Sequence, residues 1–269
     1  MVLRKYLLLF VFFIPLISYS QYWEIGILLG GSNYKGDLVD GIINLKETQP
    51  AAGAIIRYNI SPWFTLKSNF YYGSISGNDK SSNNADHVLR NLSFKSSLLD
   101  IGIQPEINLT GYKSGHPIYK SSPYIFGGLS LVRFNPKAYY EGSWIALQPQ
   151  CTEGQGTTKY NDREKYALTQ IAVPFGFGWK RAMGRFWNVG IEIGVRATFT
   201  DYLDDVSMTY VEADILIAAY GPLSAELSNR SGEIYDSTKD RGDPTVKDMY
   251  MFAGVTLTYS ILPNRCYKF

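Results

Sequence analysis

The chain has little of what metal proteins and most hydrolases are built from. It holds two histidines, His87 and His116, and two cysteines, Cys151 and Cys266. So few, so far apart, cannot make a thiolate zinc cluster or a disulfide framework. Charge of one sign is also lacking: the formal net charge is +2 and charged residues are 19% of the chain. That balance argues against nucleic acid or an anionic surface as partner. After residue 20 no stretch approaches the roughly 18 consecutive apolar residues a membrane-spanning helix needs.

What is abundant points to strands. The chain has 21 Tyr, 14 Phe and 25 Gly, a composition suited to pleated sheets. The segment from Thr169 to Asp201 reads as two long strands reversing at Arg181-Ala182-Met183-Gly184-Arg185. Ile171, Val173, Phe175, Phe177 and Trp179, then Trp187, Val189, Ile191, Ile193, Val195, Ala197 and Phe199, alternate with Gly, Thr and charged residues. Period 2 means strand. Trp179 and Trp187 flank the turn as the aromatic girdle of a lipid-facing strand would.

Residues 1–20 carry Arg4 and Lys5, an apolar run from Leu7 to Ile17, and Ser18-Tyr19-Ser20 before Gln21. This is the pattern of a secretory signal peptide, too short to span. Its removal takes the basic count from 26 to 24 against 24 acids, a formally neutral mature chain. The expected organisation is a signal peptide over 1–20, an outer-membrane β-barrel over 21–262 and a periplasmic tail over 263–269.

Without a spanning helix, a closed barrel is the remaining way to satisfy every backbone group in lipid. The alternation predicts an all-β, eight-stranded antiparallel transmembrane barrel. Its strands are expected near Tyr22–Gly31, Ala51–Ile60, Phe64–Tyr72, Ser97–Leu109, Pro123–Phe134, the two of the hairpin, and Asp248–Ile261. Connections are long after strands one, three, five and seven and short after two, four and six, the asymmetry of outer loops and periplasmic turns. The faces of the fifth strand are hard to tell apart. Pro105 and Pro174 fall inside strands of a ring with no edge, which predicts a bulge at each or a strand boundary displaced by a few residues. Val211 to Arg230 reads as a short loop helix broken at Gly221-Pro222, capping the mouth or offering a surface to a partner.

The inward positions hold Glu24, Asp100, Glu106 and Glu192 against Arg57, Lys67, Lys180 and Arg196. Eight strands enclose a space that side chains just fill, so these charges are expected to pair as a salt-bridged plug; an ion or proton path through them is the alternative. His87 beside Asp86 could be half of a hydrolytic pair, yet no serine is placed by a motif, so a solvated loop histidine is the expected reading. His116 falls on the other side of the membrane. Asp201, Asp204 and Asp205 read as loop salt bridges and hydrogen bonds, or as oxygen ligands for calcium, though without the alternate-position spacing of a calcium loop. Cys151 and Cys266 lie on opposite sides of the bilayer, so each is an inert thiol or a candidate for an intermolecular disulfide. No catalytic residue and no cofactor or metal site is predicted.

Glu24-Ile25-Gly26, Gly30-Gly31-Ser32-Asn33-Tyr34 and Gly36-Asp37-Leu38, with the run Arg196-Ala197-Thr198-Phe199-Thr200-Asp201-Tyr202-Leu203-Asp204-Asp205-Val206-Ser207, resemble the PorG family of Bacteroidota outer-membrane barrels. The resemblance implies a non-enzymatic scaffold of the type IX protein secretion (gliding-associated) machinery, anchored in outer-membrane lipid and attached to a periplasmic ring of proteins resembling PorK and PorN. Read with that role, the tail residues Arg265, Cys266, Tyr267, Lys268 and Phe269 are candidates for partner binding, with a possible disulfide through Cys266. The alternative function is a small channel for apolar or small solutes.

Overall fold

Eight antiparallel staves close into a ring in the computed structural model, which describes residues 21–41 and 44–262. The strands are β1 (Tyr22–Lys35), β2 (Gln49–Asn59), β3 (Phe64–Asn78), β4 (Ser93–Asn108), β5 (Ser121–Gly127), β6 (Leu129–Tyr140), β7 (Ser143–Ala146), β8 (Thr169–Ala182), β9 (Trp187–Thr198) and β10 (Met249–Ile261). β1 pairs with β2 on one side and with β10 on the other, from Trp23↔Ile261 to Lys35↔Met249. That last ladder closes the sheet, so the backbone groups of the ring find partners within it.

β5 and β6 together make the fifth stave, and β7 is a short hairpin partner of β6 beyond the ring. The long connections are 36–48, 79–92, 141–168 and 199–248; the short ones, at the other end, are 60–63, 109–120 and 183–186. Several strands run further toward the long loops than the alternation predicts. β1 continues to Lys35, β3 to Asn78, and β4 begins at Ser93. In the β1 and β3 extensions both faces are packed, so the period of two in burial is lost there, whereas the start of β4 still alternates with Lys95 and Ser97 exposed.

Neither a bulge nor a displaced boundary accounts for Pro105 and Pro174, which lie inside β4 and β8. Ile103↔Leu129 and Glu106↔Phe126 keep one register across the break at Gly128, and so do Gly127↔Phe175 and Ser130↔Ala172. Instead both prolines turn their missing donors toward the same stave. The Asn108 N–H points at Trp63 O, on the β3 side, so alternation turns Pro105 toward Gly127. The Gly128 N–H donates to Pro174 O at 3.0 Å, which places Pro174 against Gly128. The two lost donors interrupt the ladder between β5 and β6 without shifting it. Gly128 is needed at this spot, since a Cβ would stand 2.1 Å from Ile103 O.

The exterior is apolar around the whole ring. Ile25, Ile27, Leu29, Phe70, Ile101, Ile103, Ile125, Leu131, Phe177, Ile191, Val255 and Leu257 are all exposed. At the short-turn end Trp23 tilts against Tyr58 at 4.6 Å, and Tyr259 packs on Phe186 and Trp187. An uninterrupted apolar belt edged by aromatics is a lipid-facing surface.

Candidate functional site

The lumen is filled in layers. Its middle is a buried ion network: Arg57 Nε lies 3.0 Å from Glu106 Oε1, Lys67 Nζ 2.7 Å from Glu192 Oε2, and Lys180 Nζ 2.7 Å from Glu106 Oε2. Arg57 and Lys67 also reach the second carboxylate of the pair at 3.6 Å. Tyr71 and Tyr124 donate to Glu192 at 3.1 and 2.8 Å. Three cations thus surround two carboxylates whose oxygens are all engaged.

Toward the long loops, Asp100 accepts from Asn69, Ser130 and Tyr250 at 2.6, 3.1 and 2.6 Å. Arg196 Nε stands 4.0 Å from it, and the guanidinium lies over the rings of Phe252 and Tyr71 while Nη1 donates to Gly194 O at 2.6 Å. Toward the short turns, Glu24 accepts from Asn59 at 3.0 Å and Thr258 at 3.2 Å and has no cation within salt-bridge reach among the described residues. The eight inward charges therefore form one five-membered knot, one Asp–Arg layer and one hydrogen-bonded carboxylate.

Both mouths are shut. At the short-turn end, 109–120 folds across the opening and drives Tyr112 inside, fully buried, with Lys180 Nζ 4.8 Å from its ring centroid. The Ser114 N–H donates to Tyr22 Oη at 2.9 Å and its hydroxyl to Asn188 Oδ1 at 2.9 Å, so the turn spans from β1 to β9. At the other end the upper lumen turns apolar: Leu28, Leu98, Val132 and Phe134 pack with loop residues Leu38, Leu203, Val206 and Leu227 in one cluster. Val132 and Phe134 point inward into this cluster while Leu129 and Leu131 face lipid, which is why the fifth stave shows two apolar faces.

Above this cluster the four long loops are tied into a cap. Arg90, at the end of the helix Ala85–Arg90, bonds Asp79 through Nε and Nη2 at 2.8 Å each, and also reaches Asp37 O and Arg241 O. Arg241 donates to Glu153 Oε1 at 2.9 Å, Asp205 O at 2.5 Å and Ser228 O at 3.1 Å. Glu153 in turn accepts from the Ser207 N–H at 2.9 Å. Two arginines so join loops 36–48, 79–92, 141–168 and 199–248. Neither hub was legible beforehand, because a loop side chain buried by partners far along the chain leaves no periodic trace. The helices Ala213–Tyr220 and Pro222–Ser228, broken at Gly221-Pro222, lie in the cap with Leu216 and Leu227 buried.

Asp201, Asp204 and Asp205 are buried in this cap and hydrogen-bonded within it. Ser207 donates to Asp201, Tyr34 to Asp204 at 2.6 Å, and Thr152 and Tyr166 to Asp205 at 2.5 and 2.6 Å. Tyr34 also reaches Asp248 at 3.0 Å. Gly36 admits no side chain here: its Cβ would sit 2.0 Å from Asp248 Oδ1. Among the described residues no group of three His, Cys, Asp or Glu is placed to hold a metal ion. Burial raises Asp37 to about 7 and Asp201 and Asp205 to about 6. Burial pushes Asp204 and Asp248 up as well, with repulsion from Asp248 next for Asp204 and from Asp201 next for Asp248.

The sign of the pH effect follows. An opened loop releases these protons near the ordinary carboxylate value of 3.8, whereas the closed cap holds them up to about 6 to 7. Between those limits the closed cap binds more protons than the open one, so its stability falls as pH rises. Amide hydrogen exchange of 201–207 and 241–248, corrected for intrinsic rates, is expected to show stronger protection at pH 5 than at pH 8. Protection that is flat or rises with pH would contradict the assignment.

The two histidines stand at opposite ends of the barrel. His87 does not pair with Asp86 as the sequence allowed: its Nδ1 lies 3.5 Å from Asp40 Oδ1 and 3.2 Å from Ser82 Oγ. One ring nitrogen faces both groups, and the Ser82 hydroxyl donates to Asp40 Oδ2 at 2.7 Å. A hydrolytic relay needs the serine and the carboxylate on different ring nitrogens, so this is a loop hydrogen-bond cluster. His116 Nδ1 accepts from the Ile118 and Tyr119 N–H groups in the crossing turn. Cys151 is buried in the cap, where burial pushes its thiol up. The signal segment 1–20 and the tail residues Arg265, Cys266, Tyr267, Lys268 and Phe269 lie outside the described residues.

A closed antiparallel ring with an apolar, aromatic-edged exterior, short turns at one end and long folded loops at the other is an outer-membrane β-barrel, with its lumen filled and both mouths shut. A family model described as "Domain of unknown function (DUF6089)" matches residues 3–224, and the chain belongs to that family. No curated protein matches the sequence. Among solved structures the chain is similar to Neisserial surface protein A (10% identity, 90% of this chain and 97% of that one, TM-score 0.41). It is also similar to the N-terminal beta-barrel domain of Pseudomonas aeruginosa OprF (9% identity, 90% and 98%, TM-score 0.36). A third is the outer membrane protein OprG of Pseudomonas aeruginosa (7% identity, 90% and 95%, TM-score 0.35).

Proposed function

We propose that this barrel is a non-enzymatic scaffold of the type IX protein secretion (gliding-associated) machinery of Bacteroidota, holding a periplasmic ring to the outer membrane. The observation that carries the scaffold reading is the filled lumen. A barrel whose axis is blocked by Tyr112, the Glu106–Glu192 knot and an apolar upper layer moves nothing along that axis. Its work then falls to its surfaces. The secretion role itself rests on the resemblance of Arg196–Ser207 and of the first strand to the PorG family.

Mild-detergent extraction followed by identification of co-purifying proteins tests this role. Lipoprotein and ring components resembling PorK and PorN are expected, and a non-reducing gel would reveal any disulfide through Cys266. Their absence, with unimpaired protein secretion in a deletion strain, would end the secretion reading. The channel alternative makes a different demand. The purified barrel in a planar bilayer is expected to show no steady conductance, since opening the axis would break several buried ion pairs. A stable open channel would replace the scaffold reading with a solute pore.

A further inference from the structure

The two ends of the barrel differ in charge far more than a formal +2 for the chain implies. Of 24 acids in the sequence, Glu24, Asp100, Glu106 and Glu192 line the lumen and every other one falls within 36–48, 79–92, 141–168 or 199–248. The short-turn segments 60–63, 109–120 and 183–186 contain no Asp or Glu, and neither does 262–269. Yet this end carries Lys113, Lys120, Arg181 and Arg185. None of the four meets a carboxylate within salt-bridge distance among the described residues.

Lys113, Lys120 and Arg185 stand on adjoining segments. Ser114 Oγ lies 3.0 Å from Arg185 O, and the Ala182 N–H donates to Lys120 O at 2.7 Å, so segments 109–120 and 181–185 lie side by side. Two large apolar side chains stand exposed in the same segments, Ile118 at 77% and Met183 at 65%. The support is firm, because Tyr112 is anchored in the lumen and Ser114 is bonded to Tyr22 and Asn188.

We propose that this end face is a docking surface for an acidic protein in the periplasm. Charge complementarity names the partner's chemistry: a face with three cations, Lys113, Lys120 and Arg185, and no anion among the described residues selects carboxylates, and the exposed Ile118 and Met183 add apolar contact. Position favours a protein over lipid headgroups. Segment 109–120 crosses beneath the lumen, between Tyr112 in the barrel and Ser114 bonded to β1 and β9, so Lys113 stands at the barrel mouth rather than on a lipid-facing strand. The perimeter already has its headgroup contacts in Trp23, Tyr58, Trp187 and Tyr259. Arg181 alone, at an outward strand position, stands at that perimeter. The partner's identity as a ring component rests on the scaffold reading above; the acidic-protein surface does not.

The test uses the full barrel in phosphatidylcholine nanodiscs, with polyglutamate as probe. Binding is expected to weaken with salt and to fall about tenfold or more in K113E/K120E/R185E, as loss of several charge contacts requires, while R181E retains it. Vesicles containing phosphatidylglycerol serve as the lipid arm. In cells, a photoreactive residue at position 118 is expected to yield a protein adduct that the triple variant loses. Heat-modifiable migration checks that each variant is folded. Unchanged polyglutamate binding in the triple variant, an adduct indifferent to charge reversal, or cross-links to phospholipid alone would overturn the proposal. A charge-dependent adduct to a protein outside any ring would leave this surface standing and end the secretion reading.

Discussion

Glu106→Gln is expected to lower the stability of the barrel by about 3 to 5 kcal/mol, the cost of leaving a buried ion unpaired. Glu106 meets Arg57 at 3.0 Å, Lys180 at 2.7 Å and Lys67 at 3.6 Å, all of them out of contact with water. Replacing its charge leaves three cations with Glu192 as their only partner in the knot. Unfolding by urea in lipid vesicles, followed by heat-modifiable migration, measures the loss. The double variant Glu106→Gln/Lys180→Met removes one charge of each sign and is expected to recover a large part of it. A single variant within about 1 kcal/mol of wild type, the range of an exposed pair, would show that water reaches the knot and that the lumen is open.

Arg241→Met is expected to open the cap while leaving the membrane ring intact. The guanidinium holds Glu153 and the carbonyls of Asp205 and Ser228, and it is 2% exposed. Methionine keeps much of the stem's volume and removes every donor. The buried Glu153 carboxylate then keeps the N–H groups of Ser207 and Met208 but no cation among the described residues, a local loss on the order of 3 to 5 kcal/mol. Trypsin treatment of intact cells is expected to cut the variant at Arg230 and Lys239 much faster than the wild type, with migration of the ring unchanged. Equal cleavage rates would show that Arg90 and the apolar cluster hold the cap alone.

These two sites stood differently in the sequence. Glu106 was visible because β4 alternates cleanly, so its parity with Asp100 and Gln104 put it inside a ring too narrow for an unpaired charge. Arg241 carried no such mark. Its partners come from positions 153, 205 and 228, and nothing local distinguishes it from the neighbouring Lys239 or Lys247. Tyr112 was hidden for a related reason: it sits in a turn, where no strand period applies, and only the crossing of 109–120 beneath the barrel puts it in the lumen. His87 meets Asp40 and Ser82 rather than Asp86, because adjacency along the chain does not bring side chains together on a helix.

By itself the sequence determined the ring: which residues alternate, which face meets lipid, how many staves form and which connections are long. Those features are local, since a period of two and a turn residue act on their own neighbours, and the hydrophobic effect then selects the face. Tertiary structure alone decided that the lumen is sealed at both ends, that Pro105 and Pro174 spend their missing donors on one stave, and that two arginines bind four loops into a cap. It also brought segments 109–120 and 181–185 side by side, so that Lys113, Lys120 and Arg185 share one end with no carboxylate in salt-bridge reach among the described residues. These depend on which distant residues meet across the barrel, and such meetings are set only when the ring closes.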